Sequence, residues 1–338
     1  MEKLINYELH VFDLTANCQH VKLEDRGKFM GVCSPFIISH LKSLGVNCVQ
    51  LMPVFDSVGT HWNYDSTSWF DLNPKFGTLS EFKAMVDTLQ ASGIKVVLDV
   101  VFNHVANDLM DKFKDDGVKF YDWDITGCGN TVDVKGSLPV IMKSIKYWLR
   151  YIGVDGLRFD LADVMGREGG EFNPKAQFFT EMEQYKDKIL IAEPWSCASY
   201  SLNMFPDHWI ELNDQIRDAV RKGGTYYCGK NYKKYMGFAT YHDGFTLQDL
   251  VSYNSKHNHA NGENNKDGCD NNLSNNHGAE GYTDNPWIIA AREETKKRMI
   301  ENLKTSSYHI TILMGDELGR TQYGNNNGYL RPNPVTWP

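Results

Sequence analysis

The chain has 338 residues, of which 41% are hydrophobic, 12% aromatic and 23% charged, a composition that suits a packed core and excludes intrinsic disorder. Lys and Arg total 35 against 43 Asp and Glu, a net charge of -8, and no dense basic run is present, which excludes a nucleic-acid partner. No stretch of about 18 apolar residues occurs, and the opening MEKLINYELHVFD has no apolar signal-peptide region, so no membrane partner and a cytoplasmic location are expected.

The segment YELHVF reads as a first strand. After Ser34 and Pro35, the apolar residues Ile37, Ile38, Leu41 and Leu44 fall at helical spacing, Gly45 stops the helix, and VNCVQLMPV follows as a strand. Thr78 and Glu81 form a capping box ahead of Phe82, Met85, Val86 and Leu89; Gly93 closes that helix and IKVVLDVVF is the next strand. Ser137 and Pro139 are expected to open a third helix carrying Ile141, Ile145, Trp148, Leu149 and Ile152, with Gly153 and the strand VDGLRFDL behind it. Further strands are KILIAEP, a weak one near Trp209–Leu212, GFATYH and HITILMG, while Lys222 to Tyr235 fits no class. The strands are apolar throughout instead of alternating, as strands covered on both faces are. Eight such strands separated by helices predict a (β/α)8 barrel with long loops after the strands.

The seven cysteines are scattered and none forms CxxC, which suits structural thiols rather than a disulfide scaffold. No phosphate-binding glycine motif and no GxSxG elbow is present. Residues 254–285 hold ten Asn and lack periodicity, yet they follow a strand directly, so an ordered functional loop is expected there.

Several strands end in charge. DVVFNH delivers Asp99, Asn103 and His104; GLRFD delivers Arg158 and Asp160 on one face around Phe159; ILIAEPW delivers Glu193 and Trp195; ATYHD delivers His242 and Asp243. A barrel gathers its C-terminal strand ends, so Asp160, Glu193 and Asp243 are expected to meet, and keeping one protonated would relieve their repulsion. A protonated acid beside an ionised carboxylate is the equipment of glycoside hydrolysis. A divalent metal held by these carboxylates with His104 and His242 is the competing reading, but no HExxH supports it, and the one HxH (His257, His259) lies in the Asn-rich loop. Trp62, Tyr64, Trp69 and Phe70 lack core periodicity and suit the flat faces of sugars, with core packing an equal alternative for Trp69 and Phe70.

In this order, DVVFNH, GLRFD, AEPW and YHD resemble the four signature regions of the alpha-amylase superfamily. The match is closest to its isoamylase and glycogen-debranching branch, through GCGNTVDV, FPDHWIELNDQIRDAVRKG, the Asn-rich run after HDGF and GDELGRTQYGNNNGY. The resemblance implies Asp160 as nucleophile, Glu193 as general acid and base, and Asp243 as the group that grips the distorted sugar. It places Arg158, His104, His242 and Trp195 in the same pocket and Tyr64 under the reacting glucose. The implied activity is retaining cleavage of α-1,6 branches in a glycogen-like α-glucan. An α-1,4 hydrolase or transglycosylase, and a glucan-binding subunit without turnover, remain as alternatives. No cofactor is required; loop carboxylates and Asn carbonyls could hold a structural calcium, as elsewhere in the superfamily, but with no DxDxDG loop no site is assigned. His259 stands where the branch carries an acid. Residues 1–338 read as the catalytic barrel alone, with the family's N-terminal β-sandwich and C-terminal β domain absent.

Overall fold

Each of the eight strand segments forms a strand. They are β1 (Ile5–Leu9), β2 (Cys48–Leu51), β3 (Lys95–Val100), β4 (Gly156–Phe159), β5 (Ile189–Ala192), β6 (Ile210–Leu212), β7 (Tyr235–Phe238) and β8 (His309–Leu313). Nearly all their residues are buried, as their uninterrupted apolar character requires. In this computed structural model, which describes residues 2–168, 170–330 and 332–338, the strands follow one another in chain order and close into a parallel barrel. Among the described residues no helix is long and apolar enough to cross a membrane.

The main helices between strands are α1 (Pro35–Ser43), α2 (Leu79–Ala91), α3 (Val134–Lys146), α4 (Gln177–Met182), α5 (Asp214–Arg221) and α6 (Pro286–Lys304), with shorter helical segments in the loops. The capping box of α2 is present: Thr78 Oγ1 accepts the Glu81 N–H at 3.2 Å and Glu81 Oε2 accepts the Thr78 N–H at 2.7 Å. Phe82, Met85, Val86 and Leu89 are its buried stripe. Helix α3 begins earlier than expected. Asp133 caps it by accepting the Gly136 N–H, so Ser137 and Pro139 lie inside the helix instead of opening it. Pro139 sits early enough to cost one backbone hydrogen bond without ending the helix. The last turn widens into a π-helical stretch, Tyr147–Ile152, and ends at Gly153 with φ 87°, a conformation natural only to glycine.

The weak sixth strand is three residues long, and α5 follows at once, capped by Asn213 on the Ile216 N–H at 3.0 Å. The unclassified stretch from Lys222 is loop and a short helical turn, Gly229–Lys234. Strand β7 starts two residues before the expected GFATYH and stops at Phe238, so Tyr241, His242 and Asp243 stand beyond the ladder.

By internal packing the chain divides into two compact units, Gln50–Leu212, and Met1–Val49 with Asn213–Pro338. The core of the first is aromatic. Trp69 meets Phe102 edge-on at 5.1 Å, and Trp209 packs on Phe159 at 5.0 Å. The Trp69 carbonyl accepts both Ser144 Oγ at 2.7 Å and Trp148 Nε1 at 3.0 Å. Trp69 and Trp62 are therefore buried packing residues, not sugar platforms. Phe70 is half-buried beneath Lys143, 5.5 Å from its ring centre.

The core of the second unit gathers Ile216, Val220, Phe245, Leu250, Met299 and Leu303. His309 is buried at the start of β8, where Nδ1 accepts the Leu4 N–H at 2.8 Å and Nε2 donates to the Lys233 carbonyl at 3.0 Å. Burial pushes this imidazole down to about 4 from 6.5. The folded state then binds fewer protons than the unfolded one between these values, so stability is full above pH ~6.5 and falls as pH drops toward ~4. Urea unfolding at pH 7 and pH 4 should show a His309 contribution of about 3 kcal/mol, absent in His309→Gln.

Candidate active site

The strand period places Arg158 and Asp160 on one side of β4, and the parallel register sets Arg158 beside Asp99 of β3. Arg158 is fully buried, a position a charge tolerates only when paired. Its Nη1 donates to Asp99 Oδ1 at 2.9 Å, Asp99 Oδ2 at 3.0 Å and Asp160 Oδ1 at 2.8 Å. Its Nη2 lies 2.9 Å from Glu193 Oε2 at the end of β5. One planar guanidinium thus joins three carboxylates. Burial works against its charge, but Asp99, Glu193, Tyr64 and Asp160 together hold its pKa well above the ordinary value. Within this unit a fixed cation meets much of the carboxylate repulsion.

Backbone and amide donors fix the same carboxylates. Glu193 Oε2 also accepts the Leu161 N–H at 2.8 Å. Leu161 carries φ 38°, a region leucine seldom visits, so strain sits at the turn between Asp160 and the following helical turn. Asn103 Nδ2 donates to Asp160 Oδ2 at 2.8 Å and to its carbonyl at 2.9 Å. Its Oδ1 accepts from His104 Nδ1, which sets both the amide orientation and the imidazole tautomer. Burial pushes the His104 pKa down against the pull of Asp160, Asp65 and Asp124. Asp65, 3.8 Å from His104 Nε2, is pushed up by burial, with His104 opposing. Tyr64 is half-buried and its hydroxyl donates to Asp99 Oδ2 at 3.0 Å. Trp195, also half-buried, follows Glu193 and donates its backbone N–H to the Glu193 carbonyl at 2.9 Å.

His242 and Asp243 belong to the other unit, where Glu8 on β1 organises them. Buried Glu8 accepts the His242 backbone N–H at 2.8 Å through Oε2 and the ring Nδ1–H at 2.9 Å through Oε1. The tautomer so fixed turns Nε2 toward Asp243 Oδ1, 3.8 Å away, on a carboxylate side chain about half exposed at 52%. Glu8 escaped the sequence reading, although a lone acid in an apolar strand was the available signal. Glu8→Gln keeps one acceptor but loses the anion behind the ring. If Glu8 acts through His242, the variant should lose on the order of 10-fold to 100-fold in kcat/KM on a soluble substrate. The same change in a His242→Asn background should cost little more, a coupling read by a double-mutant cycle.

Asp163 was missed as well. It is buried and accepts from Ser199 and Ser201 and from Arg167 Nη2 at 2.8 Å, tying the turn after Asp160 to the loop after Glu193. The Asn-rich segment is ordered by its own amides. Asn258 Nδ2 donates to Asn326 Oδ1 at 2.8 Å, Asn326 N–H returns to Asn258 Oδ1 at 2.9 Å, and Asn325 Nδ2 donates to Asn261 Oδ1 at 2.9 Å. His257, of the HxH pair, meets Glu280 at 3.2 Å.

The family described as Alpha amylase, catalytic domain, matches residues 15–126. A glycogen operon protein GlgX homolog of Mycobacterium tuberculosis is 36% identical over 390 aligned positions, covering 98% of this chain and 54% of that protein. One from Haemophilus influenzae is 34% identical over 400 positions, covering 98% of this chain and 60% of that protein. In these matches the chain is similar to the alpha-amylase family. It spans about half the length of the curated superfamily relatives it matches. Among solved structures, a pullulanase from Bacillus acidopullulyticus superposes with a TM-score of 0.75 at 21% identity, over 98% of this chain and 45% of that one. A pullulanase from Anoxybacillus, complexed with maltotetraose, gives 0.75 at 21% identity over 98% and 54%. The likeness to these structures is one of fold, carried here by the closed ring of parallel strands.

Proposed function

We propose that this chain carries the catalytic barrel, residues 1–338, of a retaining glycoside hydrolase that cleaves α-1,6 branch linkages in a glycogen-like α-glucan. The observation that carries the reading is the single Arg158 fork holding Asp160 and Glu193 together at the ends of adjacent strands. A retaining mechanism needs its two carboxyls about 5–5.5 Å apart, and a shared guanidinium favours such closeness. The choice of polymer and bond is supported by the kinship with relatives named for a glycogen operon, a kinship that also supports a cytoplasmic setting.

In the first step an Asp160 carboxylate oxygen attacks C1 of the glucose at the branch. The C1–O6 bond breaks, its electron pair stays on O6, and Glu193 donates a proton there. Arg158 and the Leu161 N–H hold Glu193 Oε2, so the transferred proton is assigned to Oε1. In the second step Glu193 takes a proton from water, the water oxygen bonds to C1, and the ester electrons return to Asp160. Asp243 accepts hydrogen bonds from the sugar's 2- and 3-hydroxyls, and His242, its Nδ1–H held by Glu8, stands beside it. Tyr64 supplies a flat face under the reacting ring, with His104 and Trp195 along the same wall.

The test is linkage-resolved product analysis with glycogen and with a linear maltooligosaccharide. Linear chains released from glycogen, with the linear substrate left whole, are expected. Cleavage of the linear substrate would replace the α-1,6 assignment with α-1,4, and silence on both from folded protein would overturn catalysis by this chain alone.

A further inference from the structure

Beside Asp243 lies a cavity of about 300 Å³ walled by Arg217, Arg221, Tyr241, Gly244 and Asn271. Its two arginines are paired unequally. Arg217 is met by Asp218, Nε to Oδ1 at 2.8 Å, with Asp214 at 4.0 Å. Arg221 spends Nε on the Ala239 carbonyl at 2.8 Å and Nη1 on the Asn272 carbonyl at 2.9 Å, and among the described residues it makes no ion pair with an acid. Its remaining nitrogen, Nη2, faces the cavity wall at Gly244, where an added Cβ would lie 4.0 Å away. Burial, and then the neighbouring Arg217, pull the Arg221 pKa down to about 10, so the group stays cationic at neutral pH against an opposing field. Arg221 is therefore a cation that, among the described residues, no acid pairs, in a chain of net charge -8 that has no general attraction for anions.

The same wall carries Asp243, an acceptor that calls for hydroxyl donors. A bare anion would satisfy Arg221 and be repelled by Asp243, whereas a neutral sugar would leave the Arg221 charge unmet. We propose that the cavity receives a phosphate monoester borne on a glucose unit, its phosphate on Arg221 and its hydroxyls toward Asp243. The proposal rests on the α-glucan reading above and deepens it by naming a class of substrate. The chemistry is shared by two sources, a phosphate esterified to the glucan itself and a free hexose phosphate.

The test measures binding to the whole chain by calorimetry. The ligands are a maltooligosaccharide bearing one phosphate monoester, the same oligosaccharide after dephosphorylation, glucose 6-phosphate, and inorganic phosphate. The phosphorylated oligosaccharide should bind about tenfold tighter than its dephosphorylated twin at low salt, the scale of one charge-assisted contact. Arg221→Gln should reduce that advantage to near one. Because Arg221 also holds two loop carbonyls, the wild-type comparison stands without the variant. An advantage only for the oligosaccharide assigns the phosphate to the glucan; matching affinity for glucose 6-phosphate, well above inorganic phosphate, assigns it to the free sugar. Equal binding of the phosphorylated and plain oligosaccharides, with glucose 6-phosphate no better than inorganic phosphate, overturns the proposal and leaves the debranching reading intact. Loss of all oligosaccharide binding would instead strike that reading.

Discussion

Asp160→Asn is expected to lower turnover of a branched α-glucan by on the order of 10⁴-fold or more, while glucan affinity stays within a few-fold of wild type. The amide keeps the shape of the side chain and its place beside Arg158 Nη1 and Asn103, so the pocket should remain assembled. What it lacks is the charge that forms the glycosyl ester, an interaction realised only along the reaction path. The split between kcat and binding is the diagnostic. A glucan-binding subunit with no turnover to lose would show no change in either quantity. Pre-steady-state kinetics on a chromogenic glucan, alongside affinity electrophoresis in glycogen, reads both.

Arg158→Leu should have the largest effect on stability. The substitution leaves Asp99, Asp160 and Glu193 buried around an apolar side chain, and removing one member of a buried ion-paired group costs about 3–5 kcal/mol. The pH dependence gives the cause away. Without the cation, burial and mutual repulsion raise the folded-state carboxyl pKa values, so the folded variant holds more protons than the unfolded chain. Its stability should therefore rise as pH falls from 8 to 5, narrowing the gap to wild type. A gap that stays constant across that range would mean that lost packing, not stranded charge, is responsible. Arg158→Lys should recover part of the loss, because one ammonium restores the charge but cannot span three carboxylates as the planar fork does.

Much of the barrel can be read from periodicity because helix, glycine and apolar strand recur as one unit. Gly45 and Gly153 both take the positive φ that a helix stop requires. Helix α3 shows where such reading slips. Pro139 is a strong opening signal, but the Asp133 cap lies six residues earlier and the helix runs on through the proline. Tyr241 and His242 close the expected strand GFATYH, yet the β7 ladder ends at Phe238. Trp69 is ambiguous from sequence because its partners Phe102 and Trp148 are 33 and 79 residues away.

The charged residues of the site are visible at strand ends, but their pairing is not. Alternation places Arg158 with Asp160, whereas the three-carboxylate fork also depends on the register of β3 against β4 and on the reach of Glu193 from β5. Glu8 is harder still, since the residue it holds lies 234 positions away and only folding brings them together. The Asn-rich loop illustrates a different limit. Composition suggests disorder, while order comes from amides pairing with amides across segments distant in sequence, such as Asn258 with Asn326.

Covalent trapping tests the central claim most directly. The intact chain would be incubated with an α-configured 5-fluoroglucosyl fluoride, which slows both chemical steps, and then digested and mapped by mass spectrometry. A fluoroglucosyl adduct on the peptide that contains Asp160, absent in Asp160→Asn, is the predicted result. An adduct on another carboxylate, or turnover of the reagent to the β-anomer with no adduct formed, would contradict the assignment of Asp160 as nucleophile and the retaining mechanism built on it.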